Sequence, residues 1–261
     1  MMKRGRVAVV TGAGRGLGRA VVLRLAADGA DVVALARSLD EVEDVAREAR
    51  SRGVRALGLS VDVTSSVDVA RARDEVESEL GHVDIVVNNA GSLLYKPVVP
   101  LPGLEAQAGF DSPVSDEEWD SVLDVHVGGA LRMLRAFGPG MLERGYGRVV
   151  NVVSNVIRRT VPFTSGYDTA KGGLTQLTRS VAREWARYGV TVNAIAAGHF
   201  RTSMSQEMFD DEKAYRGMVS RIPARRTGTP DEFAALVDFL CGEESAFITG
   251  ETIAIDGGET L

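Results

Sequence analysis

Short apolar runs alternate with amphipathic stretches along nearly the whole chain. Runs rich in Val, Ile and Ala predict strands over Arg6–Thr11, Asp31–Ala36, Val54–Val61, Val83–Asn88, Arg148–Val153, Val190–Ala196 and Glu251–Ile255. Between them, helical spacing predicts helices over Gly18–Asp28, Leu39–Arg52, Ser65–Leu80, Ser115–Arg144, Thr164–Tyr188 and Asp231–Cys241. Ser115 fits an N-cap, with Asp116, Glu117 and Glu118 in the positive first turn behind it. Alternating strands and helices imply parallel pairing, because a parallel pair needs a crossover. Strands such as Val83–Val87 are apolar on both faces, as a sheet covered on both sides requires. The pattern therefore predicts an α/β fold: one doubly wound, Rossmann-like domain over residues 1–261, with about seven parallel strands and helices on both faces. Two stretches without clear periodicity, Ser92–Pro113 and His199–Thr229, each leave the carboxyl end of a strand. Open α/β sheets take their ligands there.

Composition narrows the function more than the fold. The 261 residues are 44% hydrophobic and 25% charged, ordinary for a globular protein. A formal net charge of −6 argues against binding nucleic acid or an anionic membrane. A lone cysteine, Cys241, excludes an internal disulfide and a cysteine-rich metal site, and three histidines (His82, His126, His199) do not suggest a metal cage. No metal is expected. No apolar run reaches membrane-span length, and the first strand follows Met1 too closely for a signal peptide, so the expected location is cytoplasmic. Only four of the 30 basic residues are lysines, which draws attention to Lys171.

The run Thr11-Gly12-Ala13-Gly14-Arg15-Gly16-Leu17-Gly18 sits between the first strand and the first helix. Glycines there let the backbone approach a diphosphate, and the helix start offers free N–H groups. The spacing is Gly12-x-x-x-Gly16-x-Gly18 rather than G-x-G-x-x-G. At the end of the second strand, where an NAD site carries a carboxylate, stand Ala36, Arg37 and Ser38. A guanidinium and a hydroxyl suit a 2′-phosphate, and Arg15 can reach the same group, so NADP is favoured over NAD.

Tyr167 and Lys171 are four apart, on one face of a helix. A nearby ammonium favours the phenolate and should lower the tyrosine pKa, suiting Tyr167 to pass a proton to a carbonyl or take one from an alcohol. Ser154 ends the fifth strand and could hold the substrate oxygen against Tyr167.

Together these features resemble the short-chain dehydrogenase/reductase family over nearly the whole chain. The motifs are the Thr11–Gly18 loop, Asp62-Val63, Asn88-Asn89-Ala90-Gly91, Ser154, Tyr167 with Lys171, Val192-Asn193-Ala194-Ile195 with Gly198, and Asp256-Gly257-Gly258. The resemblance is strongest to 3-oxoacyl carrier-protein reductases. It implies that Asp62 and Val63 contact adenine, that Asn89, Ala90 and Gly91 line the cofactor cleft, that Lys171 also binds the nicotinamide ribose, and that Phe200 and Thr202, with Gly198, meet the carboxamide. It also implies a homo-oligomer, tetramer or dimer, in which the two long helices pack across an interface. Two positions depart from the family. His126 stands where the family has an asparagine that holds a proton-relay water, and it either carries the relay or merely packs. Ala197-Gly198 replaces the usual Pro-Gly.

The leading expectation is an NADPH-dependent reductase of a 3-ketoacyl, polyketide-like or other apolar ketone, with a small-molecule substrate that can include an acyl thioester. An oxidative alcohol or sugar dehydrogenase of the same family and a non-catalytic NADP-binding sensor stand as alternatives. A related epimerase or dehydratase is disfavoured by the short region after the last strand. The Ser92–Pro113 stretch, with Leu93, Leu94, Tyr95 and Phe110, is either a substrate wall or a surface excursion. Phe163, Phe200, Met204, Met208 and Phe209 hint at an apolar ligand.

Overall fold

The structure, a computed structural model, describes residues 3–104, 110–201 and 211–261. Its elements in chain order are β1 (Val7–Thr11), α1 (Gly16–Ala27), β2 (Asp31–Ala36), α2 (Leu39–Arg50), β3 (Ala56–Ser60), α3 (Ser66–Leu80), β4 (Ile85–Asn88), α4 (Asp116–Leu123), α5 (Gly129–Arg144), β5 (Gly147–Ser154), α6 (Ser165–Trp185), β6 (Val190–Ala197), α7 (Glu212–Val219), α8 (Pro230–Leu240) and β7 (Thr252–Ile255). The strands form one seven-stranded sheet in the order β3-β2-β1-β4-β5-β6-β7, and every pairing is parallel. This is the doubly wound Rossmann-like architecture that the β–α alternation predicts.

The period-two pattern of β1 shows why both faces must be covered. Ala8 and Val10 point to one side, where Val22 and Leu25 of α1, Val45 of α2 and Phe233 of α8 pack. Val7 and Val9 point to the other, against Val76 of α3, Met133 and Phe137 of α5 and Val181 of α6. Chain direction reverses its march across the sheet beside β1, whose neighbours are β2 and β4. A crevice opens above the carboxyl ends of β1 and β4 at such a switch point.

Two expectations need correction. The single helix predicted over Ser115–Arg144 is interrupted: α4 and α5 are joined by a π-helical turn, Asp124–Gly128. Hydrophobic spacing cannot reveal one extra residue in a turn, and His126 lies at its centre. The stretch His199–Thr229, read as irregular, contains α7, whose start is capped by Asp211 accepting from the N–H groups of Lys213 and Ala214 at 2.9 and 3.0 Å. That helix has eight residues and buries only Met218, too little apolar spacing to register as periodic. Among the described residues, no helix is long and apolar enough to cross a membrane.

Candidate active site

The site begins where β1 and β4 end. The Thr11 hydroxyl oxygen accepts from the N–H groups of Asn89 and Ala90, both at 3.0 Å. The Asn89 side-chain amide donates to the carbonyls of Thr11 and Gly12, also at 3.0 Å. Asn89 therefore fastens two strand exits together. Space is so tight that a Cβ on Gly12 would come within 2.9 Å of the Ala90 backbone, and one on Gly18 would strike the Gly12 carbonyl. Gly12 also has φ +62°, a conformation natural to glycine. No side chain caps the first turn of α1, so its N–H groups stay available to an anion. Gly14, Gly16 and Leu17 belong to this same turn, and the side chains of Arg15, Arg37 and Ser38 are exposed beside it. Glu41 is an acid that the sequence reading did not count: its carboxylate crowds Gly14, so that a Cβ there would lie 2.6 Å from Oε2.

Further along the edge, Asp62 accepts from the N–H and hydroxyl of Thr64 at 2.9 and 2.8 Å. These bonds, aided by Arg37 and Arg132 nearby, hold its carboxyl below the usual range. Val63 is buried against Gly129 of α5. The Phe200 ring turns into the core, edge-on to Phe233 with centroids 5.6 Å apart, so any carboxamide contact must come from its backbone. Thr202, Met204, Met208 and Phe209 lie outside the described residues.

The structure brings Ser154, Tyr167, Lys171 and His126 together. Ser154 ends β5, and α6 runs back across that strand with Tyr167 and Lys171 on its inner face. The Lys171 ammonium donates to the Val152 carbonyl at 2.7 Å and lies 5.5 Å from the Tyr167 ring centroid. Its burial drives the Lys171 pKa down to about 7. Burial likewise raises the Tyr167 phenol above its ordinary value, although a hydrogen bond with Ser154 pulls it part of the way back. This reverses the expected lowering by the ammonium. Both groups are desolvated on one side of the sheet, and low dielectric penalises the charged form of each before either can help the other.

His126 packs edge-on to Tyr167, with ring centroids 5.4 Å apart. Its Nε2 lies 2.8 Å from the Ser92 carbonyl oxygen and 3.2 Å from the Ser92 nitrogen, so the Ser92 peptide engages this ring nitrogen and not Nδ1. That Nδ1 is buried and has no partner among the described residues. Burial and the neighbouring Lys171 push the imidazole down to about 3, so it is neutral across the physiological range. A side chain on Gly91 would collide with the ring.

The Ser92–Pro113 stretch is tethered at several points. The Lys96 ammonium binds both oxygens of Glu118 at 2.9 Å, and the Lys96 N–H donates to the Phe163 carbonyl at 2.8 Å. Phe110 packs edge-on to Phe163, centroids 4.6 Å apart, and Phe163 holds a left-handed φ of +69° unusual for its type. Half-buried Tyr95, its phenol raised by burial and by Asp168, is close enough to act electrostatically on Tyr167. Among the described residues, no cluster of His, Cys, Asp and Glu suits a metal ion.

Comparison with known proteins agrees with this geometry. A family model described as enoyl-(acyl carrier protein) reductase matches residues 12–260. The short-chain reductase protein NovJ of Streptomyces niveus is 38% identical over 97% of this chain and 93% of its own length. The 3-oxoacyl-[acyl-carrier-protein] reductase FabG of Escherichia coli K12 is 34% identical over 97% of both chains. Among solved structures, a gluconate 5-dehydrogenase from Burkholderia cenocepacia in complex with NADP and tartrate superposes with a TM-score of 0.88, at 32% identity over 99% of this chain and 96% of that one. An NAD+-bound xylitol dehydrogenase also scores 0.88, at 32% identity over 98% of this chain and 99% of that one. Similarity of this extent makes the chain a member of the short-chain dehydrogenase/reductase family of oxidoreductases.

Proposed function

We propose that this chain uses NADP(H) to reduce a ketone to a secondary alcohol, the ketone being 3-ketoacyl, polyketide-like or another apolar carbonyl, acyl thioesters included. The observation that carries this reading is the joint placement of Ser154, Tyr167 and Lys171 at the edge where β1 and β4 offer an anion-ready turn. The residues fit the dinucleotide. Gly12, Gly14, Gly16 and Leu17 bring backbone to a diphosphate at the uncapped start of α1. Exposed Arg15, Arg37 and Ser38 suit a 2′-phosphate. Asp62 and Val63 would meet adenine, and Asn89, Ala90 and Gly91 the cleft wall. Gly198 and Phe200, through backbone, and Thr202 would meet the carboxamide, and Lys171 the ribose hydroxyls. When bound, the dinucleotide supplies the hydride that reaches the carbonyl carbon.

The chain's own residues handle the proton. Ser154 orients the substrate oxygen, and Tyr167, kept protonated by its burial, donates to it. Lys171 stands behind Tyr167 and can restore charge balance. Neutral His126 holds a buried Nδ1 with no partner among the described residues beside Lys171, in keeping with the relay role rather than simple packing. Tethering of the Ser92–Pro113 stretch to Glu118 and Phe163 supports its reading as a substrate wall, with Tyr95, Phe110 and Phe163 as the apolar surface. The oxidative reading, an alcohol or sugar dehydrogenase, draws support from the gluconate and xylitol dehydrogenases among the structural relatives. A homo-oligomer, tetramer or dimer, is part of the proposal, and light scattering on the purified protein decides it.

Initial rates with NADPH and with NADH against β-ketoacyl thioesters, cyclic diketones and a quinone test the main reading. Turnover with an NADPH preference is expected. NADPH binding without turnover on any of these, or on sugar alcohols with NADP+, would reject it in favour of a sensor.

A further inference from the structure

Glu259 is a buried carboxylate at the catalytic edge that the sequence reading passed over. Beyond β7, Asp256 accepts from the N–H groups of Gly258 and Thr260 at 2.9 and 3.1 Å and from the Thr260 hydroxyl at 2.6 Å. The turn thus formed folds Glu259 inward until only 5% of its side chain is exposed. A carboxylate in that position is costly unless paired. Its partners come from the exits of two other strands. After β5, the Asn155 side-chain amide donates to it at 2.9 Å and the Arg159 guanidinium lies 3.6 Å away. After β6, the His199 Nε2 lies at 3.3 Å. One side chain therefore joins the ends of β5, β6 and β7.

Asn155 follows Ser154 directly. A side-chain amide has one donating and one accepting end, whereas a carboxylate only accepts. Glu259 therefore takes the Asn155 NH2 and turns its Oδ1 the other way. There the Ser154 hydroxyl donates to it at 3.4 Å, while the Ser154 oxygen accepts from the Val156 N–H at 3.4 Å. We propose that Glu259 is a positioning residue, which orients the Ser154 hydroxyl through the Asn155 amide and holds the β6 exit through His199. This rests on the reading above for the role of Ser154. Arg159 and His199 face the carboxylate from the other side and hold it in place.

A swap of donor and acceptor tests the bond. Asn155→Asp alone sets two carboxylates against each other and frees the group beside Ser154. Adding Glu259→Gln reverses the bond: the new amide donates to one oxygen of the new carboxylate, and the other oxygen still faces Ser154. With NADPH and a β-ketoacyl thioester, kcat is expected to fall roughly tenfold in Asn155→Asp and to recover to within about threefold of wild type in the double variant. NADPH affinity, followed by fluorescence, stays level across the set. No recovery in the double variant, or no loss in the single one, overturns the proposal. The bond is also read without substrate, by the nitrogen-15 resonances of the Asn155 side-chain amide, assigned through their loss in Asn155→Asp. They should move in Glu259→Leu, and unmoved resonances overturn the proposal whatever the activity. A wild-type protein inactive on every ketone counts against the functional reading alone, and the amide resonances still decide this one.

Discussion

At the scale of single residues, the site is governed by what burial does to charge. Tyr167 held protonated and Lys171 brought down to about 7 are two results of one desolvated pocket. Replacing Tyr167 by Phe removes the proton donor and nothing else of size. It should lower kcat at least about 100-fold, the lower range for general acid catalysis, while NADPH affinity by fluorescence titration stays within about twofold. Lys171 permits a direct check, since the chain has only four lysines. With carbon-13-labelled lysine, one side chain should titrate near 7; four midpoints above about 9 would refute this. The sign for stability follows. Below about 7 the ammonium is buried and charged, and the full desolvation cost is present. As pH rises from there to the unfolded value of 10.5, the unfolded chain holds more protons and the cost disappears. Lys171→Met should therefore raise the melting temperature most below neutral pH and progressively less above it. His126, neutral down to about 3, should add no limb to a pH–rate profile near the ordinary histidine value.

Among the elements, the π turn at Asp124–Gly128 and the tethered loop after β4 matter most. The turn carries His126 inward so that Nε2 meets the Ser92 peptide. His126→Ala removes that contact, a loss of about 1 kcal/mol. The melting temperature should drop by a few degrees, and His126→Asn, which can still donate, should restore part of it. A full-strength melting curve for the alanine variant would show the turn to be held by packing alone. The loop carries selectivity in the proposed reading. Phe163→Ala removes the partner of Phe110 and opens the wall; the ratio of kcat/KM between a bulky aromatic ketone and a small one should fall roughly tenfold. An unchanged ratio would make the loop a surface excursion.

For the whole molecule, the first described residue is tied to the last third of the chain. The Lys3 ammonium bridges Asp28, after α1, and Asp238 on α8, at 3.0 and 2.6 Å, and Arg24 shares Asp238. Burial alone would lower the lysine pKa, yet its hydrogen bonds and charge attraction to the two aspartates raise it. Removing it leaves the mostly buried Asp238 to Arg24 alone, so Lys3→Met should cost about 2 kcal/mol, measured by urea unfolding. Cofactor choice belongs to this scale too, because Arg15 and Arg37 come from different loops. The double replacement of both by Ala should weaken NADPH binding roughly 100-fold and leave NADH binding nearly level, about two charge-assisted bonds to phosphate. Equal losses for both dinucleotides would remove the basis for NADP.

The β–α alternation, the two-sided strands and the motif order were local signals, and they determined the sheet, its parallel pairing and the positions of the glycine turn, Ser154, Tyr167 and Lys171. Those features depend on residues near in sequence, through periodicity, caps and tight turns. The tertiary structure alone decided the rest. Whether Tyr167 is held neutral depends on how deeply α6 buries it. Which His126 nitrogen is left without a partner depends on one extra residue in a helical turn and on which peptide of a distant loop claims the other. That Glu259 meets Asn155, 104 positions earlier, follows from strand exits converging at one edge. Charge, desolvation and hydrogen bonding act through space, and no spacing along the chain records which groups will share it.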